Sequence, residues 1–88
     1  MNIKTTKYMV FEEIERKPKT SVWQVLNRKS SYVLGLIEYY TGWRQYVFEP
    51  SGNTEFNNSC LNEISGFLTE LNNNRQTGAN YAARRFLV

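Results

Sequence analysis

The sequence contains no histidine and no aspartate, and it has a single cysteine, Cys60. Histidine is the side chain that most often acts as a general base near neutral pH, so its absence removes the commonest catalytic arrangement. One cysteine cannot form an internal disulfide, and without histidine it cannot supply a zinc site. The five glycines form no phosphate-binding run. We therefore expect no enzyme activity, no bound metal and no cofactor.

Two groups of residues could still carry chemistry. Cys60 lies near a predicted helix N-terminus, which favours a reactive thiolate, but it also falls on an apolar stripe, which favours packing in the core. Glu12, Glu13 and Glu15 share a predicted strand. Alternation directs Glu12 to one side and the other two to the opposite side, which favours a solvated edge over a catalytic carboxylate pair.

Long hydrophobic runs are also missing. No segment approaches the ~18 apolar residues of a membrane span. The first ten residues mix lysine and threonine with apolar side chains and lack the apolar core of a secretory signal. We expect a cytoplasmic protein that does not enter a membrane. Its 88 residues suffice for one domain with one small core.

The net positive charge is confined to the C-terminal part of the chain. Residues 1–70 contain eight lysines and arginines and eight glutamates, so the net charge of +3 comes from Arg75, Arg84 and Arg85. We predict a single domain over residues 1–74 and a basic tail over residues 75–88. The sequence pI of 9.2 would suggest nucleic acid as a partner, but a neutral body weakens that inference.

Four segments have the composition of β-strands. They are 8–15, 22–27, 33–40 and 43–49, separated by turns at Pro18, at Arg28–Ser31 and at Thr41–Gly42. A helix is predicted to begin near Asn57, Asn58 or Ser59 and to end at Asn72–Asn74. Its apolar positions recur at steps of three and four and form one stripe: Cys60, Leu61, Ile64, Phe67, Leu68 and Leu71. The predicted fold is α+β: a four-stranded antiparallel β-meander with one C-terminal α-helix packed on one face, then the basic tail.

Loop lengths predict which residues share a face of the sheet. A two-residue Thr41–Gly42 loop would set Tyr40 opposite Trp43 and Gly35 opposite Phe48, whose ring could lie over the bare glycine. An even loop near Lys29 would set Leu26 opposite Val33. One face would then hold Val22, Leu26, Val33, Gly35, Ile37, Tyr46 and Phe48. The other would hold Trp23, Val25, Leu34, Leu36, Tyr40, Trp43 and Val47. An odd loop after Asn27 would exchange the faces of the second strand.

The most distinctive segment is Trp43-Arg44-Gln45-Tyr46-Val47-Phe48. The segments around it are Val22-Trp23-Gln24-Val25, Leu34-Gly35-Leu36-Ile37, Thr54-Glu55-Phe56 and Cys60-Leu61 with Ile64, Phe67 and Leu68. Over residues 20–71 this pattern resembles a group of small uncharacterised proteins that bacteriophages and prophages encode. The resemblance implies a mobile-element origin and implies no activity.

The predicted second face of the sheet is the candidate interaction face, because one helix covers only one face. Its residues are Trp23, Leu36, Tyr40, Trp43 and Arg44. Arg44 could stack on Tyr39, or it could satisfy a loop carbonyl or Glu38. The favoured function is a phage accessory protein that binds a host or phage protein, for example to inhibit a host defence system. A homodimer through the same face would also cover it.

Nucleic-acid binding is the alternative function. Sheet aromatics, including Tyr32, could stack on bases while basic side chains hold phosphates. The candidate phosphate contacts are Arg28, Lys29, Arg75, Arg84 and Arg85. Because the basic turns at Arg16–Lys19 and at Arg28–Lys29 would lie at opposite ends of a strand, roughly 20 Å apart, they would not form one continuous stripe.

Overall fold

The fold is α+β, with five antiparallel strands in one sheet and one C-terminal helix. A computed structural model describes the backbone of residues 1–87 and the side chains of residues 1–74. The elements are β1 (Ile3–Thr5), β2 (Met9–Arg16), β3 (Ser21–Asn27), β4 (Val33–Tyr40), β5 (Gln45–Pro50) and α1 (Asn58–Leu87). The strands lie side by side in chain order, β1-β2-β3-β4-β5. The predicted meander and C-terminal helix are therefore confirmed, and the predicted strand number was wrong.

The additional strand is β1, at the edge of the sheet. It pairs with β2 through Ile3 opposite Glu12 and Thr5 opposite Val10. Its three residues are all exposed and show no alternation, so the sequence carried no signal for it. Lys4 Nζ reaches across to Glu70 Oε2 of α1 at 3.3 Å. The strand thus adds a contact between the N-terminus and the helix.

The β4–β5 connection has four residues rather than two. Tyr40 lies opposite Gln45 instead of Trp43, and Tyr39 lies opposite Tyr46. Arg44 closes the turn in a left-handed conformation, with φ of 54°. Lengthening the loop by two residues moves every partner but keeps each side chain on its predicted face, because the side-chain period is two.

Gly35 has the predicted close aromatic neighbour, although its cross-strand partner is Pro50. A Cβ placed on Gly35 would lie 2.8 Å from the Phe48 ring. The ring therefore occupies the space that any larger residue at position 35 would need.

The β3–β4 pairing contains a bulge that the sequence analysis did not predict, since the alternative it left open was an odd loop after Asn27. Leu26 lies opposite Val33, as predicted, but the register shifts between Val25 and Leu26. Trp23 is therefore opposite Ile37, not Leu36. This single-residue shift moves Trp23 and Val25 to the helix-covered face, so the predicted face assignment of β3 was wrong.

The helix begins where the sequence predicted. Asn57 caps it, with its Oδ1 accepting from the Cys60 amide at 2.9 Å. The predicted end at Asn72–Asn74 was wrong, because α1 continues through these residues. Asn72 has a tertiary role instead: its Oδ1 accepts from the Tyr46 amide at 2.8 Å. The predicted side-chain contacts of the tail at residues 75–88 lie outside the described residues.

The core lies between α1 and the sheet and is centred on three aromatic rings. Phe67 of α1 stacks on Phe11 at 4.4 Å between ring centroids and meets Trp23 edge-on at 4.9 Å. The other buried residues of this cluster are Met9, Val25, Ile37, Tyr46 and Ile64. Cys60, Leu68 and Leu71 pack against it, so Cys60 takes the packing role that its position on the stripe favoured.

Glu13 is a buried carboxylate on the same face as this core, opposite Trp23. Its Oε1 accepts from Arg16 Nη2 at 2.7 Å and from the Asn2 amide at 3.1 Å. A bulge between Glu13 and Glu15 places Glu15 opposite Val22, on the other face. The two carboxylates that alternation would place together are therefore separated.

The ion pair of Glu13 should make stability depend on pH. The Arg16 hydrogen bonds hold the pKa of Glu13 below its ordinary value of 4.5, against the opposing effect of burial. A lowered folded-state pKa stabilises the fold above the unfolded-state value, and this stability is lost as the pH falls through the folded-state pKa. Urea melts at about pH 6.5 and about pH 3.5 should show a smaller acid-induced loss in Glu13→Gln than in the parent. Glu12→Gln, on the opposite face, should keep the parent's loss; equal losses in all three proteins would contradict this prediction.

Candidate functional site

The β4–β5 turn presents two aromatic side chains at one end of the sheet. Trp43 is 68% exposed and meets the Tyr40 ring edge-on at 5.2 Å. The turn is closed by backbone hydrogen bonds of 3.2 Å from Trp43 to Tyr40 and from Arg44 to Thr41. A Cβ on Gly42 would lie 2.9 Å from the Tyr40 ring. The glycine therefore lets the ring lie against the turn, and the turn holds Trp43 in a defined position.

A groove continues from Trp43 between β5 and α1, and we call it the Trp43 groove. It has a volume of about 600 Å³. Trp43, Gln45 and Val47 line it from the strand side. Leu61 and Leu68 line it from the helix, and Leu61 is 48% exposed although it belongs to the apolar stripe. The stripe is thus divided between the core and an apolar wall that faces solvent.

The outer edge of β5 runs along the same groove. The Tyr46 amide points outward, since it donates to Asn72 of α1. In an antiparallel ladder alternate residues direct their backbone groups to the same edge. Phe48 therefore also presents its N–H and C=O outward, and Pro50 has no N–H to offer. The edge is open for an extended segment only around Phe48.

The five residues predicted to form one interaction face do not lie together. Trp43 and Arg44 lie in the β4–β5 turn, and Tyr40 directly precedes it at the end of β4. Trp23 is 6% exposed beneath α1, and its Nε1 donates to Ser21 Oγ at 2.8 Å. Leu36 is half-buried on the sheet face opposite α1, between Gln24 and Glu49. The bulge in the β3–β4 pairing separates the two tryptophans.

The sheet face opposite α1, which we call the open face, is acidic as well as apolar. One cross-strand row on it reads Ile3, Glu12, Gln24, Leu36 and Glu49. Partial desolvation raises the pKa of Glu49, and the neighbouring Glu38 carboxyl raises it further. Among the described residues no three potential ligands from histidine, cysteine, aspartate and glutamate come together to hold a metal ion. The open face therefore differs from the aromatic surface that the sequence suggested.

At the other end of the sheet, two neighbouring turns form a cluster that we call the basic end. Arg28 of the β3–β4 turn donates through Nη1 to the Thr6 carbonyl at 3.1 Å and through its amide to the Tyr8 carbonyl at 2.9 Å. These bonds join it to the β1–β2 turn. The basic and aromatic members of the basic end are Lys7, Tyr8, Arg28, Lys29 and Tyr32.

Sequence reasoning named Arg28, Lys29 and Tyr32 but missed the other half of this cluster. Lys7 and Tyr8 precede β2 in a segment that was not recognised as a turn, because β1 itself was not recognised. Lys7 Nζ lies 5.3 Å from the centre of the Tyr8 ring. The sequence feature that could have indicated these residues was a Lys-Tyr pair directly before a strand. Only the strand order shows that this pair lies beside Arg28.

Comparison with known proteins gives one relative. Over 77 residues the chain is 31% identical to an uncharacterised 9.3 kDa protein of Acholeplasma phage L2, covering 86% of this chain and 99% of the relative. This chain belongs to the family of that phage protein. The predicted resemblance to small phage proteins is confirmed at that level, and the Trp-Arg-Gln-Tyr-x-Phe string as its signature stays a prediction.

Two further comparisons found no match. No protein-family model matches the chain, and no solved structure matches it. In the part of the chain that the structure describes, no helix is both long and apolar enough to cross a membrane. The function of this chain must therefore be argued from its own surface.

Proposed function

We propose that this phage protein acts by binding another protein through the Trp43 groove, not by catalysis. The observation that carries the proposal is the position of Trp43, which is 68% exposed at an ordered turn and lines the same groove as the exposed Leu61. A tryptophan contributes a large apolar area when buried, and tryptophan is enriched among the residues that dominate interface energies. A partner that covers Trp43 and Leu61 would remove both from water.

The groove favours an extended segment of the partner. The outward N–H and C=O of Phe48 can accept one residue of an added strand as a two-bond pair. Side chains that alternate along that strand would contact Trp43 and Leu61 on one side. Apolar residues at alternate positions are therefore the chemistry that we expect in the partner.

The partner is a host or a phage protein, and inhibition of a host defence system is the role that we propose. Small phage proteins commonly act by occupying a surface of a host macromolecule, and this step is an analogy with such proteins rather than a consequence of the geometry. A second copy of the chain could also occupy the groove. The oligomeric state is therefore measured in the same experiment.

The test is affinity capture from host lysate with purified full-length protein, with and without nuclease. Trp43→Ala should weaken capture of the specific partner by about 30-fold or more, since truncating a central interface tryptophan costs ~2 kcal/mol or more. Tyr32→Ala is the matched control, because it removes an exposed aromatic ring from the opposite end of the sheet. Light scattering on the parent and on Trp43→Ala reports self-association. If the parent is monomeric and Trp43→Ala retains every captured protein, the proposal is wrong.

A further inference from the structure

We infer that the basic end binds single-stranded nucleic acid, at a site separate from the Trp43 groove. The inference does not rest on the proposed protein partner, because it uses different residues at the other end of the sheet. Its elements are two exposed tyrosines and three cationic side chains on two hydrogen-bonded turns.

The two turns hold both tyrosines within reach of a single nucleic-acid strand. The Tyr8 carbonyl accepts a hydrogen bond from the Arg28 amide, and the Tyr32 carbonyl accepts one from the Asn27 amide. Two strand spacings put the Tyr8 and Tyr32 backbones about 10 Å apart. The side chains are 42% and 59% exposed, so their rings are accessible to bases. Exposed aromatic rings next to cations are the means by which proteins bind single strands with little regard to sequence.

The β3–β4 turn is ordered by its own hydrogen bonds. Asn27 Oδ1 accepts from the amides of Lys29 and Ser30 at 2.9 and 3.1 Å. Ser31 has a left-handed φ of 63°, and its amide donates to the Asn27 carbonyl at 2.7 Å. This turn is therefore fixed before any ligand arrives, which lowers the entropy lost on binding.

The charge balance at this end favours an anion. Among the described side chains, only Lys4 and Arg16 form ion pairs with carboxylates, and neither belongs to the basic end. Glu63 lies at this end, and its carboxylate accepts hydrogen bonds from the Thr6 hydroxyl and the Tyr8 amide. The three cationic side chains of Lys7, Arg28 and Lys29 thus outnumber the Glu63 carboxylate.

The opposite end of the sheet has lysines and aromatics but a different arrangement. Lys17 and Lys19 flank Pro18 in the β2–β3 turn, whereas Trp43 of the β4–β5 turn packs against Tyr40 at the end of β4. The acidic row on the open face would repel a strand that crossed the sheet from one end to the other. The path of the nucleic acid therefore follows the basic end alone.

The test is fluorescence anisotropy of labelled 20-nucleotide oligo(dT), oligo(U) and a 20-base-pair duplex, with full-length protein over a salt series. The variants are Lys7→Ala/Lys29→Ala and, as the matched control, Lys17→Ala/Lys19→Ala. Both lose two lysines and keep the same C-terminus, so they have the same net charge. Loss of two phosphate contacts should reduce the slope of log K against log salt by about 1.4 and weaken binding at about 0.1 M salt by at least about tenfold. The control should keep the parent's slope.

A second pair of variants tests stacking. Tyr8→Leu and Tyr32→Leu should each weaken binding of the single strands by about 5- to 150-fold with little change in the salt slope. Tyr40→Leu and Trp43→Ala should bind as the parent does, and circular dichroism verifies that every variant is folded.

Comparing the affinities for oligo(dT) and oligo(U) shows whether the site distinguishes DNA from RNA. The inference is overturned if no strand binds at about 50 mM salt, if the duplex binds as tightly as both single strands, or if the two lysine variants lose affinity equally. It is also overturned if neither tyrosine variant weakens binding. Binding of the single strands that depends on Lys7 and Lys29 and on the tyrosines supports it.

Discussion

Phe67→Ala should destabilise the fold by about 3–5 kcal/mol, the cost of removing a buried phenylalanine from a packed core. Phe67 is 5% exposed and touches both Phe11 and Trp23, so its removal leaves a cavity between the helix and two strands. Small domains have total stabilities near the low end of 5–15 kcal/mol, roughly. We therefore expect most of the cooperative unfolding transition to be lost at 37 °C.

The matched control for this variant is Leu61→Ala, on the same helix and the same sequence stripe. Leu61 faces the Trp43 groove and is half exposed, so its truncation should cost much less. Urea and thermal melts of both variants measure the difference. A melting temperature of Phe67→Ala within a few degrees of the parent would show that the helix does not form the core with Phe11 and Trp23.

The two tryptophans should behave in opposite ways on truncation. Trp23→Ala removes a buried ring and should cost about 3–5 kcal/mol. Trp43→Ala removes a ring that is mostly in water, and a surface substitution of this kind usually changes stability by less than ~0.5 kcal/mol. Denaturant melts of the two variants test both values, and a stable Trp23→Ala would contradict the position of Trp23 under the helix.

Tryptophan fluorescence distinguishes the environments of the same two residues. It uses substitutions to phenylalanine, which destabilise the fold less than truncation to alanine. Trp43→Phe leaves Trp23 as the emitter, and its emission should lie at shorter wavelength and resist quenching by iodide. Trp23→Phe leaves the exposed Trp43, whose emission should be red-shifted and readily quenched. Identical spectra from the two variants would mean that both tryptophans share one environment, as the sequence analysis had placed them.

Much of the fold follows from local patterns in the sequence. The bounds of β4 match the predicted 33–40, and those of β2 and β3 lie within one residue of the prediction at each end. The helix begins at the predicted cap, and Ile64 and Phe67 from its stripe are buried. These features are local, since strand alternation, helical periodicity and capping each involve residues close together in the chain.

Which face of the sheet a side chain occupies depends on how its strand pairs with the neighbouring strands. The longer β4–β5 turn shifted the partners by an even number and left the predicted faces unchanged. The bulge between Val25 and Leu26 shifted them by one and exchanged the faces of β3. Burial of Trp23 against Phe67 favours the bulged pairing, and this contact joins residues 44 positions apart in the sequence. No local pattern in β3 carries that information.

By itself the sequence determined an antiparallel sheet with a C-terminal helix, a core stripe on that helix, and the lack of histidine and aspartate. Only the tertiary structure decided that Trp23 lies in the core while Trp43 lies beside an open groove. It also decided that Lys7 and Tyr8 adjoin Arg28. The physical reason is that side-chain period and capping act within a few residues, whereas register, bulges and strand order are set by packing between distant segments.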